Sequence, residues 1–222
     1  MRIWEAVRGT ATDIISTLAG EQPRLATKYF VLSLHRSGTR SVTELFEKFG
    51  LRTVHWPDRN NGFRLQPKIL GRERDRAYVL DVIEPVINKN DAVADVPIPV
   101  LYHELDERYP NAKFLLLRRK PGDWIRSVRR HVADRPFRPY ERVQYWHYFP
   151  SRPSTLTELS DADLTEMCER HVSQVTDYFS GRGEKFASLN LESAATGADI
   201  SKFLGHDSNT VLPHITDASN TA

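Results

Sequence analysis

The chain is poor in the features that would cross-link or anchor it. It has one cysteine, Cys168, so no disulfide can form within it, and a reducing compartment is the natural setting. No apolar run approaches the ~18 residues of a membrane span. The first residues lack the basic-then-apolar pattern of a secretory leader. Together these absences give the expectation of a cytoplasmic protein. Neither sign of charge dominates: 31 basic residues against 29 acidic ones leave a formal net charge of +2. That balance argues against coating a polyanion such as nucleic acid. Metal-ligand spacings of the HExxH or CxxC kind are missing. So is the full nucleoside-triphosphatase loop, G-x-x-x-x-G-K-[ST].

What is present is 222 residues with 40% hydrophobic content, enough for one domain over 1–222 with a full core. Residues 1–27 read as a lead-in helix, Ile3–Leu18, closed by a Gly20/Pro23 break. Strands are predicted at Tyr29–Leu34, Leu51–His55, Asp91–Val96, Lys113–Leu117 and Lys185–Leu191. Helices are predicted at about Ser37–Phe49, Tyr78–Ile87, Pro97–Tyr109, Gly122–Val132, Ala162–Phe179 and Ala194–Leu204. Gly50 supplies the left-handed residue on which helices often end. The charged run Gly71–Arg76 reads as a solvated helix face, and Cys168 as a small core residue of its helix.

Phe114–Leu117 is apolar throughout, which suits a strand buried on both faces of a parallel sheet. Strands alternating with helices predict an α/β fold of three layers, a central parallel sheet with helices on both faces. Residues 133–160, rich in proline and aromatics, read as an irregular insert. It would be a lid or acceptor-binding loop, or a contact in a homodimer.

In such folds ligands sit beyond the carboxyl ends of the strands. After the first strand comes His35-Arg36-Ser37-Gly38-Thr39-Arg40-Ser41, with Ser33 where the triphosphatase loop has its first glycine. A cation, a glycine and three hydroxyls at a helix start are the parts of a phosphate cradle: free N–H groups and the helix dipole favour an anion, and glycine permits close approach. Taken by itself, such a turn can equally do no more than cap the helix. After the Lys113–Leu117 strand comes Arg118-Arg119-Lys120-Pro121, with Ser127 eight residues beyond Arg119. Arginine offers a planar fork suited to phosphate, and the basic residues of 118–142 can focus a small anion.

The order Arg36-Ser37-Gly38-Thr39 resembles the 5′-phosphosulfate loop of sulfotransferases, and Arg119-x-Pro121 with Ser127 resembles their 3′-phosphate motif. Asp95-x-Pro97, the run Leu105–Lys113, Ser188–Leu191, Phe203–Gly205 and Leu212–His214 extend the likeness over about 28–215. The resemblance implies a P-loop-like sulfotransferase fold. It implies transfer of a sulfuryl group from 3′-phosphoadenosine-5′-phosphosulfate (PAPS) to a hydroxyl of a small-molecule, carbohydrate or lipid acceptor, with release of PAP and no need for metal. On that reading Ser37, Gly38, Thr39, Arg40 and Ser41 hold the 5′-phosphate, with His35 beside the donor or packed behind the turn. Arg36 stabilises the leaving oxygen, and Arg119 with Ser127 holds the 3′-phosphate. Asp95 stands where cytosolic members place a catalytic histidine and is the first candidate base; His55 is the second.

Two departures stand out. Arg36 replaces a lysine, and the C-terminal R-K-G loop of cytosolic members has no counterpart beyond a trace at Gly181–Lys185. A small-metabolite P-loop kinase and a catalytically inactive PAP-binding scaffold are the rival readings.

Overall fold

The computed structural model describes residues 27–58 and 62–213. The lead-in helix at Ile3–Leu18 and His214 lie outside the described residues. Five parallel strands form one sheet in the order β2-β3-β1-β4-β5. They are β1 (Tyr29–Val31), β2 (Thr53–Val54), β3 (Ala92–Val93), β4 (Lys113–Arg118) and β5 (Phe186–Asn190). The helices are α1 (Thr39–Lys48), α2 (Gln66–Ile69), α3 (Arg76–Lys89), α4 (Tyr102–Arg108), α5 (Pro121–Val132), α6 (Pro139–Tyr148), α7 (Asp161–Tyr178) and α8 (Thr196–Phe203).

Side chains alternate across a strand, and the central strands use both faces. Phe30, Leu32, Phe114 and Leu116 enter a large core with residues of α3, α4, α5, α6 and α7. Tyr29, Val31, Leu115 and Leu117 enter a smaller core with α1 and Ile200 of α8. This is the predicted three-layer α/β arrangement. Burial of each such large apolar side chain contributes ~1.5–3 kcal/mol, so the apolar run in β4 is held from both sides.

β1 is shorter than its apolar run suggests because the ladder gives way to other bonds at its carboxyl end, whereas β4 runs to Arg118, one residue past the expected Leu117. Leu32 N–H still donates to the Leu115 carbonyl at 2.8 Å. Beyond it the Ser33 hydroxyl takes over, accepting from Leu117 N–H at 2.7 Å. A side chain thus continues the β1–β4 seam where the backbone begins to turn away. At β2 and β3 the ladder is fastened by Arg52, whose Nε and Nη2 meet the two Asp91 carboxylate oxygens at 3.1 and 3.0 Å.

Three expectations are corrected. The Pro97–Tyr109 helix is broken into a single turn, Ile98–Val100, and α4. The run Gly71–Arg76 is a turn that ends at the start of α3, and Glu73 in it is buried and paired with Arg142 at 3.2 Å. Residues 133–160 are not irregular throughout. They contain α6 and a short turn, Leu156–Glu158. Pro139 begins α6, the Arg138 N–H is capped by Glu141 at 2.8 Å, and Tyr140, Val143, Tyr145 and Tyr148 all enter the larger core. The aromatic content that suggested a loose insert is there to be buried.

Candidate functional site

The turn between β1 and α1 is bent by two left-handed residues, Arg36 with φ 66° and Gly38 with φ 78°. Glycine is required at 38 twice over: a Cβ there would also lie 2.6 Å from Leu191 Cδ1. Gly38 forms the N-cap of α1, and no side chain caps that helix. The first intrahelical bond runs from Val42 N–H to the Gly38 carbonyl. The N–H groups of the first turn therefore have no intrahelical partner, as at any helix start. Ser37, Thr39 and Ser41 are all buried. The Arg40 side chain is half exposed and lies 4.0 Å from Glu44 one turn on.

β4 ends beside this turn because it is the register neighbour of β1, with Phe30 opposite Phe114 and Val31 opposite Leu115. Arg119 follows and reaches across to it, its Nη1 donating to the Arg36 carbonyl at 2.5 Å. Arg36 in turn donates from Nε to Ser127 Oγ on α5 at 3.3 Å. Arg36, Arg119 and Ser127 are thus one connected group at the carboxyl end of the sheet. Burial pulls the Arg119 pKa below its ordinary value, and the charge of Arg36 adds to the pull against Asp123. Arg119 has no ion-pair partner among the described residues. Much of the basic cluster around it is already neutralised: Arg126 pairs with Asp123, Arg129 with Asp161, Arg135 with Glu141 and Arg142 with Glu73.

On the other side of β1, β2 and β3 deliver His55 and Asp95. The Asp95 Oδ2 lies 3.3 Å from His55 Nε2, and the same nitrogen lies 3.0 Å from the Thr39 hydroxyl. Asp95 is left-handed, φ 70°, and its Oδ1 accepts from Val96 N–H at 2.8 Å. Such a conformation in a residue other than glycine costs ~1–3 kcal/mol and is characteristic of functional sites. The two base candidates read from the sequence therefore stand together, and Thr39 joins them to the loop.

His35 is separate in kind. It is 3% exposed, its Nε2 lies 2.9 Å from the Tyr145 hydroxyl, and its carbonyl accepts from the Trp124 indole N–H at 2.8 Å. Burial pulls its pKa down to about 4, so the ring is neutral near pH 7. Of its two expected placements, it takes the packed one. The trace of an R-K-G loop fails on topology. Gly181–Lys185 precedes β5 and so sits at the amino ends of the strands, where Arg182 meets Asp106 at 2.7 Å and Lys185 meets the same carboxylate. Cys168 is buried, and burial pushes its thiol up to about 11.

The sequence offered no signal for Ser33 as a seam or for Trp124 and Tyr145 as supports of His35. Each is a tertiary contact between residues far apart in the chain.

The model of the sulfotransferase domain family matches residues 28–221. The chain belongs to the sulfotransferase domain family. A relative, Ava biosynthesis cluster protein M of Aspergillus versicolor, is 31% identical over 109 residues, covering 46% of this chain and 41% of that protein. The match thus spans less than half of the relative's length. Among solved structures, the sulfotransferase of Alicyclobacillus acidocaldarius superposes with a TM-score of 0.48 at 16% identity, over 85% of this chain and 84% of that one. Shikimate kinase of Bacteroides thetaiotaomicron gives a TM-score of 0.49 at 12% identity, over 80% of this chain and 96% of that one. Among the described residues of this sulfotransferase-family chain, no helix is long and apolar enough to cross a membrane.

Proposed function

We propose that the chain moves a sulfuryl group from PAPS to a hydroxyl of a small-molecule acceptor and releases PAP. The observation that carries this reading is the convergence of Arg36 and Arg119, from the ends of two neighbouring strands, with Ser127 beside them. The group is rich in donors: the N–H groups opening α1, two guanidinium groups and a serine hydroxyl. Such a set fits a nucleotide with phosphates on two sides of its ribose. Bound there, PAPS supplies an activated sulfuryl group and a phosphate leaving group.

The chain's own residues divide the work. The Ser37 N–H is spent on the Leu34 carbonyl at 3.1 Å, so the N–H groups from Gly38 to Ser41 and the Ser37 hydroxyl grip the 5′-phosphate, and Arg119 and Ser127 grip the 3′-phosphate. Held at both ends, the donor loses its freedom before the chemical step. Arg36 offsets the charge that grows on the bridging oxygen; because arginine stays protonated, it acts by charge and hydrogen bonding alone. Asp95 takes the acceptor proton while His55 shares its Oδ2 and fixes its orientation. The acceptor oxygen bonds to sulfur, the bond from sulfur to the bridging oxygen breaks, and the proton goes to the Asp95 carboxylate.

The test is a thermal-shift titration with PAP, PAPS, ADP and magnesium-ATP, followed by sulfuryl transfer from labelled PAPS across a library of hydroxyl compounds. PAP at a hundred times its Kd is expected to add about 2.7 kcal/mol of apparent stability, with a labelled product from at least one alcohol. Stabilisation by magnesium-ATP and not by PAP would turn the reading to a kinase. PAP binding without any product would leave a nucleotide-binding scaffold.

A further inference from the structure

Helix α6 backs three segments that carry candidate site residues. The Tyr145 hydroxyl meets His35, the residue before Arg36. Tyr140 packs edge-on against Trp56, the residue after His55, with ring centroids 5.4 Å apart. The helix also packs on the Ile98–Val100 turn that follows Asp95.

The contact at His35 is the tightest of these. His35 and Tyr145 are 3% and 0% exposed, so no water competes for the bond, and an unpartnered polar atom there would be costly. Tyr145 is fixed in turn by Phe137, stacked on it with centroids 4.1 Å apart. With Trp124 holding its carbonyl, His35 is gripped at both its ring and its main chain. The next residue, Arg36, keeps a left-handed backbone that persists only where the surroundings enforce it.

A parallel tie lies one turn along the helix. His171 is buried, and burial pulls its pKa down to about 4. Its Nε2 lies 2.6 Å from the Leu32 carbonyl and its Nδ1 2.6 Å from the Tyr148 hydroxyl. A carbonyl only accepts, so the neutral ring carries its hydrogen on Nε2, and the Tyr148 hydroxyl donates to Nδ1. Two tyrosines of α6 are thus tied, at Leu32 and at His35, to the chain that leads into Arg36.

Resting on the sulfotransferase reading above, we propose that Tyr145 is a positioning residue. Through His35 it sets where the Arg36 guanidinium stands relative to the Asp95–His55 pair, and α6 is the element that aligns the loop with that pair.

The experiment compares the full-length wild type with Tyr145→Phe. It measures Kd for PAP by calorimetry, melting temperature, and kcat and KM for PAPS with the best alcohol of the hydroxyl library. Trp146→Phe is the control, because it removes a hydrogen bond of the same helix, to the Pro153 carbonyl at 3.0 Å, that does not involve the loop. Tyr145→Phe is expected to lower kcat by about 10–100-fold, the scale of a small misplacement of a catalytic group, with Kd for PAP within about threefold of wild type. Trp146→Phe is expected to lower the melting temperature and leave kcat unchanged. Wild-type kcat in Tyr145→Phe would overturn the proposal, as would a loss of kcat matched by Trp146→Phe. If Tyr145→Phe does not fold, Trp124→Phe asks the same question at the His35 carbonyl, with the same expected split. A wild-type chain that neither binds PAP nor transfers sulfuryl groups removes the sulfotransferase reading and this proposal with it. An active wild type beside an equally active Tyr145→Phe removes this proposal alone.

Discussion

The Arg119 guanidinium donates to the main-chain carbonyl of Arg36 across 2.5 Å. One side chain from the end of β4 therefore holds the loop that follows β1. Arg119→Ala is expected to weaken PAP binding by about 10–100-fold, the worth of a charge-assisted hydrogen bond of ~1.5–3 kcal/mol. Arg119→Lys should recover little of this, because an ammonium group lacks the planar fork that can serve the carbonyl and a phosphate together. Calorimetric titration with PAP checks both; full affinity in Arg119→Ala would detach this residue from the donor site.

The shared contact of Asp95 and Thr39 with His55 Nε2 separates two assignments of the base. With Asp95 as the base, Asp95→Asn is expected to cut kcat by ~10²–10⁴-fold while Kd for PAP holds. His55→Gln, which keeps a hydrogen-bonding group in place, should cost less. Steady-state kinetics on the two variants decide it. The opposite ranking would move the proton to His55.

Gly38 is constrained both by its φ of 78° and by Leu191, whose Cδ1 would lie 2.6 Å from a Cβ. Gly38→Ala is expected to destabilise the fold by ~1 kcal/mol or more from backbone strain alone. The clash falls on a side-chain end, so Gly38→Ala combined with Leu191→Ala should cost less than the sum of the two single changes. Urea unfolding of the three variants measures this. Strict additivity would show that Leu191 does not press on the loop.

Two buried histidines and one half-buried one are expected to make stability fall in acid. Burial brings His35, His147 and His171 to about 4, against an ordinary 6.5. Between those values the unfolded chain binds protons that the native chain refuses. Their contribution is therefore whole above about pH 6.5 and is lost progressively as pH falls toward 4. Each fully shifted group accounts for about 1.4 kcal/mol per pH unit within that window. Unfolding free energies measured from pH 7.5 to 4 should show proton uptake on unfolding; a flat profile would mean that these rings are hydrated.

The order of strands and helices was legible because Phe114–Leu117 and Tyr29–Leu34 have no competing periodicity, and because glycines stand where the chain turns. The loop and the Arg119–Ser127 spacing were legible for the same local reason: each is a short run that folds as a strand, a turn and a helix. The segment 133–160 was misread, since proline and aromatics mark a loop only when the rings have nothing to pack on. Here Tyr140, Tyr145 and Tyr148 meet Trp56, His35 and His171. Those partners are 84, 110 and 23 residues away in the sequence, as counted for Tyr140–Trp56, Tyr145–His35 and Tyr148–His171. The length of β1 was overestimated because Ser33 replaces a ladder bond with a hydroxyl, which burial pattern alone does not reveal.

The strand order has a consequence for where substitutions act. The central strand β1 carries the loop, β4 on one flank brings Arg119, and β3 with β2 on the other brings Asp95 and His55. The loop touches both flanks, by the Thr39 hydroxyl on one side and the Arg36 carbonyl on the other. On the reading proposed above, substitutions around β2 and β3 bear first on the Asp95–His55 pair, and substitutions around β4 and α5 on Arg119 and Ser127.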